Sequence, residues 1–399
     1  MNLVKPEEIG FSSKRLTRIN TVMQRYVDEQ KLAGIVSLIA RRGKVVHFEK
    51  FGMAELETDQ PMAFDTIFRI YSMTKPITSV AVLMLLEEGQ LRLTDPIANY
   101  IPAFKTVKVL DNATGSGGRL VDPVRPITIH DLLTHTAGLS YGFEDHVYID
   151  ELYRKLWGKL DSDSTFTLAD WIEALAQLPL AHQPGTHFRY SMATDVLGYL
   201  VQVIAGMPLA NFLQQQIFAP LGMVDTSFYV PSEKIARFAA TYGPGEQGGL
   251  KVIDAAKTSH YLQPNKRHSG GGGLVSTTGD YLRFAQMLLN KGELDGVRLL
   301  SRKTVELMTA NGLAPGVYLD NDPVRAMGFG LGVSVQLELG KAKGLGSVGN
   351  YGRGGAANTN FWIDPQEELL GILMLQFMPP DTYPVVADFR NLTYQALID

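Results

Sequence analysis

Strand-like runs sit at the two ends of this 399-residue chain, and helical runs fill the stretch between them. Near the N-terminus, Ile35 to Ala40 and Val45 to Phe48 are rich in β-branched and aromatic residues and are joined by Arg41-Arg42-Gly43-Lys44, a glycine-containing link of hairpin length. Near the C-terminus, Gly332 to Val335, Thr359 to Ile363 and Leu370 to Leu375 read the same way, and a last helix begins at about Tyr383. The terminal segments therefore predict one sheet shared by both ends, with a helical unit inserted in the middle. The boundaries expected are 1–71 and 285–399 for an α/β part and 72–284 for a largely helical part, an α/β plus α fold class. The cleft between the two parts is the default ligand site.

Within that plan one helix stands out. Residues Pro76 to Leu86 are apolar all round, which marks a helix buried on every side, and Gly89 ends it. Pro76 is tolerated because it lies in the first turn. The helix entrance carries Ser72-Met73-Thr74-Lys75. Unpaired N–H groups and the helix dipole favour negative charge there, as an acyl-transfer oxyanion requires. Lys75, one turn on, can reach the serine, and burial would lower its pKa toward that of a usable base. The plainer reading is a capping serine beside a lysine whose stem lies on apolar surface.

Elsewhere, a helix from Ser12 or Ser13 to about Gln30 carries Leu16, Ile19, Val22 and Met23 at helical spacing. Thr128 to Thr134, Leu168 to Gln177, Thr194 to Ala205 and Leu209 to Phe218 are helical by the same test. Residues 105–126, with Gly115, Gly117, Gly118, Pro123 and Pro126, read as a protruding loop or hairpin.

A second serine motif competes: Gly138-Leu139-Ser140-Tyr141-Gly142 is a formal G-x-S-x-G. A nucleophile elbow needs a buried strand entering the serine and a helix leaving it. Ser140 instead follows the helical pattern of Ile129 to Thr134, with Gly138 placed as its C-cap, so it reads as a structural loop residue. Gly270 to Gly273 lacks the ending of a phosphate-binding loop and reads as flexible chain near the cleft. Tyr141, Phe143, Tyr148, Tyr153 and Trp157 either line an acyl pocket or belong to the core.

Phe68 to Pro76, Ile127 to Leu139, Phe188-Arg189-Tyr190-Ser191-Met192, Pro220-Leu221-Gly222-Met223 and Ser269 to Thr277 together resemble the family VIII carboxylesterases, relatives of class C β-lactamases and penicillin-binding proteins. The resemblance runs over nearly the whole chain. It implies a β-lactamase/transpeptidase-like fold, an antiparallel sheet flanked by helices with an inserted helical domain, and a G-x-S-x-G that is a bystander. It also implies an acyl-enzyme formed on Ser72, with Lys75 and Tyr190 as its base system. Tyr190 falls where lactamases carry Y-x-N, and Met192 removes the amide that would bond a β-lactam side chain. The third motif falls on Arg353-Gly354-Gly355, with the Ala356 amide expected to join that of Ser72 as the oxyanion hole. Substrate contacts are expected from Arg353, Gly354, Gly355, Met192, Tyr141 and Phe143.

The expected activity is hydrolysis of short- to medium-chain carboxylic esters. A β-lactamase or D-amino-acid peptidase using the same residues, or a non-catalytic binding protein of the same fold, stays open. A net charge of −4 gives no reason to expect nucleic acid or an anionic membrane as partner, so a small ester is the expected partner, and oligomeric state is not readable. No cofactor is implied. The chain has no cysteine, and its eight histidines show no metal-ligand spacing. The first residues lack the pattern of a secretory signal, and the longest apolar runs fall short of the ~20 residues of a membrane helix, so a cytoplasmic location is expected.

Overall fold

The computed structural model describes residues 3–111, 118–162, 165–246, 248–264, 266–320, 322–342 and 344–399. Helix α1 (Ser13–Asp28) starts at Ser12, whose hydroxyl accepts from the Arg15 N–H at 3.3 Å. The chain then forms β1 (Gly34–Arg41), β2 (Lys44–Glu55) and β3 (Gln60–Pro61). Far along the sequence come β6 (Met327–Phe329), β7 (Ser334–Gln336), β8 (Tyr351–Gly354), β9 (Asn360–Asp364) and β10 (Leu369–Leu375). They join the first three in one antiparallel sheet of order β6-β7-β8-β9-β10-β1-β2-β3. The two termini meet where β1 pairs with β10, from Ile35 opposite Leu375 to Arg41 opposite Leu369.

Both central strands are buried throughout, which is why they read as continuous apolar runs. Their side chains alternate between two cores. Ile35, Ile39, Leu369, Leu373 and Leu375 face α1 and the last helix, α8 (Val385–Tyr394). Val36, Leu38, Leu370, Ile372 and Met374 face the other layer, which includes α7 (Thr278–Leu289) and the helical part of the chain. The helical part holds α2 (Thr74–Glu87), α3 (Ile129–Leu133), α4 (Tyr148–Ser162), α5 (Leu168–Leu175) and α6 (Ala193–Ala205). Helix α2 is buried from Thr74 through Leu83, and α6 packs against it. A two-stranded pair, β4 (Ile67–Arg69) with β5 (Val275–Thr277), ties the segment before α2 to the end of the glycine run.

Several boundaries differ from the sequence reading. Gly138 is no helix cap: α3 stops at Leu133 with Thr134 as its cap, and Gly138, at φ +85°, turns the chain where a side chain would strike the His182 carbonyl. Strand β6 has no counterpart in the sequence reading, because it is short and glycine-bearing and so weak as a sequence signal. The 105–126 segment is a hairpin at its base, Val109–Leu110 pairing with Leu120–Val121, while Gly115 and Gly117 lie outside the described residues. Among the described residues no single helix is long and apolar enough to cross a membrane.

Gly371 shows how tightly the sheet is covered: a Cβ there would lie 2.2 Å from the buried Trp362 ring. Gly371→Ala is expected to destabilise the fold by about 1–3 kcal/mol through overpacking, read as a lower urea midpoint. An unchanged midpoint would contradict this packing.

Candidate active site

Ser72 sits in a short turn, Tyr71–Met73, that runs straight into α2. The residue before it, Tyr71, is held at φ +43°, a backbone conformation rare outside glycine and typical of strained functional positions. Lys75 follows one turn later and is fully buried. Its Nζ donates to Ser72 Oγ at 3.2 Å, to the Tyr141 hydroxyl at 2.9 Å and to the Gly271 carbonyl at 2.6 Å. Tyr190, just ahead of α6, places its hydroxyl 2.6 Å from Ser72 Oγ. The S-x-x-K pair and the distant tyrosine thus form one hydrogen-bonded cluster.

Charge around this cluster is lopsided. Burial pushes the Lys75 ammonium below its usual range and Arg353 adds to the push, while Tyr190 and Asp195 oppose it. Burial alone would raise the Tyr190 phenol, but the Arg353 and Lys75 cations outweigh it and bring it down to about 8. The Arg353 guanidinium lies over the Tyr190 ring, 4.5 Å from its centroid, and 5.2 Å from that of Phe329. Lys75 acts on this phenol both by its charge and by hydrogen bonding, and Arg353 acts by its charge. Tyr141, buried and lacking that stacked cation, is pushed well above its ordinary range and stays a neutral phenol. His135 packs edge-on against Tyr190 at 4.8 Å, and burial followed by the two cations keeps it uncharged.

The strand that carries Arg353 approaches the segment before Ser72 closely. A Cβ on Gly355 would lie 2.5 Å from the Ile70 carbonyl, and the Thr359 hydroxyl donates to that same carbonyl at 3.3 Å. Ser72 and Ala356 both line the cavity. Among the described residues, backbone bonds here run from Met73 N–H to Ile70, Thr74 N–H to Tyr71 and Gly355 N–H to Thr359, and neither the Ser72 nor the Ala356 amide has a backbone acceptor.

The cavity has a volume of about 1020 Å³. Tyr141, Phe143, Phe188, Phe329, Val324 and Met327 supply much of its wall. Of the residues expected at substrate, Arg353, Gly354, Gly355, Tyr141 and Phe143 line it. Phe143 is 70% exposed and stacks on Tyr141 with centroids 4.8 Å apart. Met192 is a correction: it is 0% exposed and packs in the core at the start of α6, so it cannot touch a ligand in the cavity. Tyr148, Tyr153 and Trp157 belong to α4 and pack in or on the core, with Trp157 Nε1 donating to the Tyr141 carbonyl at 3.0 Å.

Ser140 has the structural surroundings expected of it. Its hydroxyl donates to Asp150 Oδ1 at 2.5 Å and accepts from Arg189 Nε at 3.1 Å, and Arg189 also pairs with Asp150 at 2.8 Å. Among the described residues no cluster of three or more His, Asp or Glu could hold a metal.

The antiparallel sheet flanked by helices is a β-lactamase/transpeptidase-like fold. Residues 19–395 match the family described as Beta-lactamase, and the chain belongs to that family. Over 359 residues it is 38% identical to protein Rv1367c of Mycobacterium tuberculosis, covering 88% of each chain. It is 33% identical over 287 residues to esterase EstB of Burkholderia gladioli, covering 68% of this chain and 69% of the relative. Among solved structures it resembles EstCE1, a hydrolase with promiscuous acyltransferase activity, at 27% identity and a TM-score of 0.82, covering 96% of this chain and 99% of that one.

The Ser140 network yields a stability test. Ser140→Ala leaves the buried Asp150 and Arg189 each short of a partner, so a loss of about 1–3 kcal/mol is expected in urea unfolding. A variant as stable as the parent would show that the network does not hold this loop.

Proposed function

We propose that the protein is a carboxylesterase that cleaves short- to medium-chain carboxylic esters through an acyl-enzyme on Ser72. The observation that carries this reading is the 2.6 Å contact between Ser72 Oγ and a phenol lowered to about 8. A phenol in that range is partly ionised near neutral pH and accepts the serine proton without a large driving-force deficit. Similarity to esterase EstB and to EstCE1 supports the same reaction class.

In this mechanism Ser72 Oγ bonds to the ester carbonyl carbon while its proton passes to the Tyr190 oxygen. The carbonyl oxygen takes up the negative charge and lies between the Ser72 and Ala356 amides. Collapse of this adduct breaks the bond to the alcohol oxygen, and the leaving alcohol takes the proton back from Tyr190. Water then attacks the acyl-serine by the same route, its proton passing through Tyr190 to Ser72, and the acid departs. Lys75 stays hydrogen-bonded to Ser72 Oγ throughout and supplies the charge that keeps the phenol acidic. The cavity, at the upper end of ordinary ligand sites, gives room for acyl or alcohol groups well beyond acetyl.

p-Nitrophenyl esters of graded acyl length, assayed beside the cephalosporin nitrocefin, test the reaction class, and a fluorophosphonate tests the nucleophile. Ester turnover far above nitrocefin turnover is expected, with added mass on the peptide carrying Ser72. Efficient nitrocefin cleavage, or label on Ser140, would overturn the reading.

Arg353 makes the pH dependence specific. Removing its charge with Arg353→Met takes away a strong influence that lowers the Tyr190 phenol, so the phenol rises and ionises later. The ascending limb of kcat/KM is therefore expected to move to higher pH. A limb that stays in place would contradict the role of this cation.

A further inference from the structure

Gly270 to Gly273 are not loose chain. A Cβ on Gly270 would lie 2.7 Å from the Thr194 carbonyl and 3.1 Å from Gly198 Cα, and one on Gly271 would lie 2.5 Å from Asp195 Oδ2. The run is therefore pressed against α6, and glycine is needed for the close approach rather than for mobility. Its polar groups are tied down on both sides. Ser269 Oγ donates to Asp195 Oδ1 at 2.5 Å and the Gly271 N–H donates to the same oxygen at 2.9 Å. From α2, the Thr78 hydroxyl donates to the Gly270 carbonyl at 2.8 Å, and Lys75 Nζ donates to the Gly271 carbonyl at 2.6 Å.

Asp195 is a carboxylate in an otherwise apolar stretch of α6, 1% exposed, with Oδ2 lacking any hydrogen-bond partner. A buried acid with an unpartnered oxygen is costly to a fold and calls for a role. We infer that Asp195 is a positioning residue: it clamps the Ser269–Gly273 run so that the Gly271 carbonyl holds Lys75 against Ser72, and its charge faces the Lys75 ammonium. This inference rests on the hydrolytic reading above. The groups that face Lys75 are Tyr190 and Tyr141, the Arg353 cation and Asp195, with uncharged His135 beyond Tyr190. Asp195 is the carboxylate of that set.

Three variants separate clamp from charge. Asp195→Ala removes both, and kcat for a p-nitrophenyl ester is expected to fall about 10²-fold, the scale of a small misplacement of a reacting group, with KM nearly constant. Gly271→Ala keeps the carboxylate but drives a methyl into it, so a similar fall in kcat is expected with KM again held. Asp195→Asn keeps the acceptor oxygen and loses the charge, and most of kcat should return. Its ascending pH limb should move lower, because the Lys75–Tyr190 pair then gives up its proton without an opposing anion.

Each assay is run well below the melting temperature of the variant. Parent enzyme must first turn over the ester and label at Ser72, so a failure there strikes the hydrolytic reading and not this one. Given an active parent, kcat within about twofold of parent in Gly271→Ala and in a folded Asp195→Ala would overturn the clamp. An unmoved limb in Asp195→Asn would overturn the charge contribution. Where Asp195→Ala does not fold, the other two variants decide.

Discussion

Removing an ammonium group from water costs on the order of several kcal/mol unless fixed partners replace the solvent, and the Lys75 Nζ is fully buried. Its three hydrogen bonds reach three parts of the chain: Ser72 at the entrance of α2, Tyr141 ahead of α4 and Gly271 in the glycine run. Each of those parts is held in turn by something distant in sequence. Trp157 holds the Tyr141 carbonyl, Asp195 holds Gly271, and Gly355 lets the end of β8 press against Ile70. The site is thus the place where the end of β8 meets the helical part, with the Lys75 cation tied to three of its segments.

The same surroundings explain why one phenol is acidic. Two cations, one below the phenol and one stacked on its ring, overcome a desolvation that would otherwise keep Tyr190 neutral. Tyr141 is in contact with the same lysine, but burial and the negative charges of Asp195 and Tyr190 push it the opposite way. Geometry within a few ångströms, not residue type, separates the two phenols.

What could be read beforehand follows from how local each signal is. Helix α2 is legible because its apolar residues run all round, and Ser72 and Lys75 because they lie one turn apart on it. That both ends of the chain share one sheet is legible because strand-like runs sit at each end, but which strands pair is not. Tyr190 and Ala356 came from family resemblance, since nothing in their own neighbourhoods points to Ser72. Asp195, although it interrupts an apolar helix, was passed over. Glycine runs look alike whether they are mobile or tightly packed, so Gly270 to Gly273 were misread. Met192 is not legible as a core residue because motif position says nothing of exposure, and the start of α6 buries it. Arg353 could be placed at the site, but its stacking on Tyr190 depends on strand register and on Phe329, both set by the tertiary fold.

The central claim is that Tyr190 is the acidic phenol beside the nucleophile. Ultraviolet difference titration of phenolate absorbance, comparing the parent with Tyr190→Phe, measures it directly among the 16 tyrosines of the chain. One phenol titrating near 8 in the parent and missing from the variant is the expected result. Superimposable titrations below pH 9.5, the range before ordinary tyrosines ionise at about 10, would contradict the account.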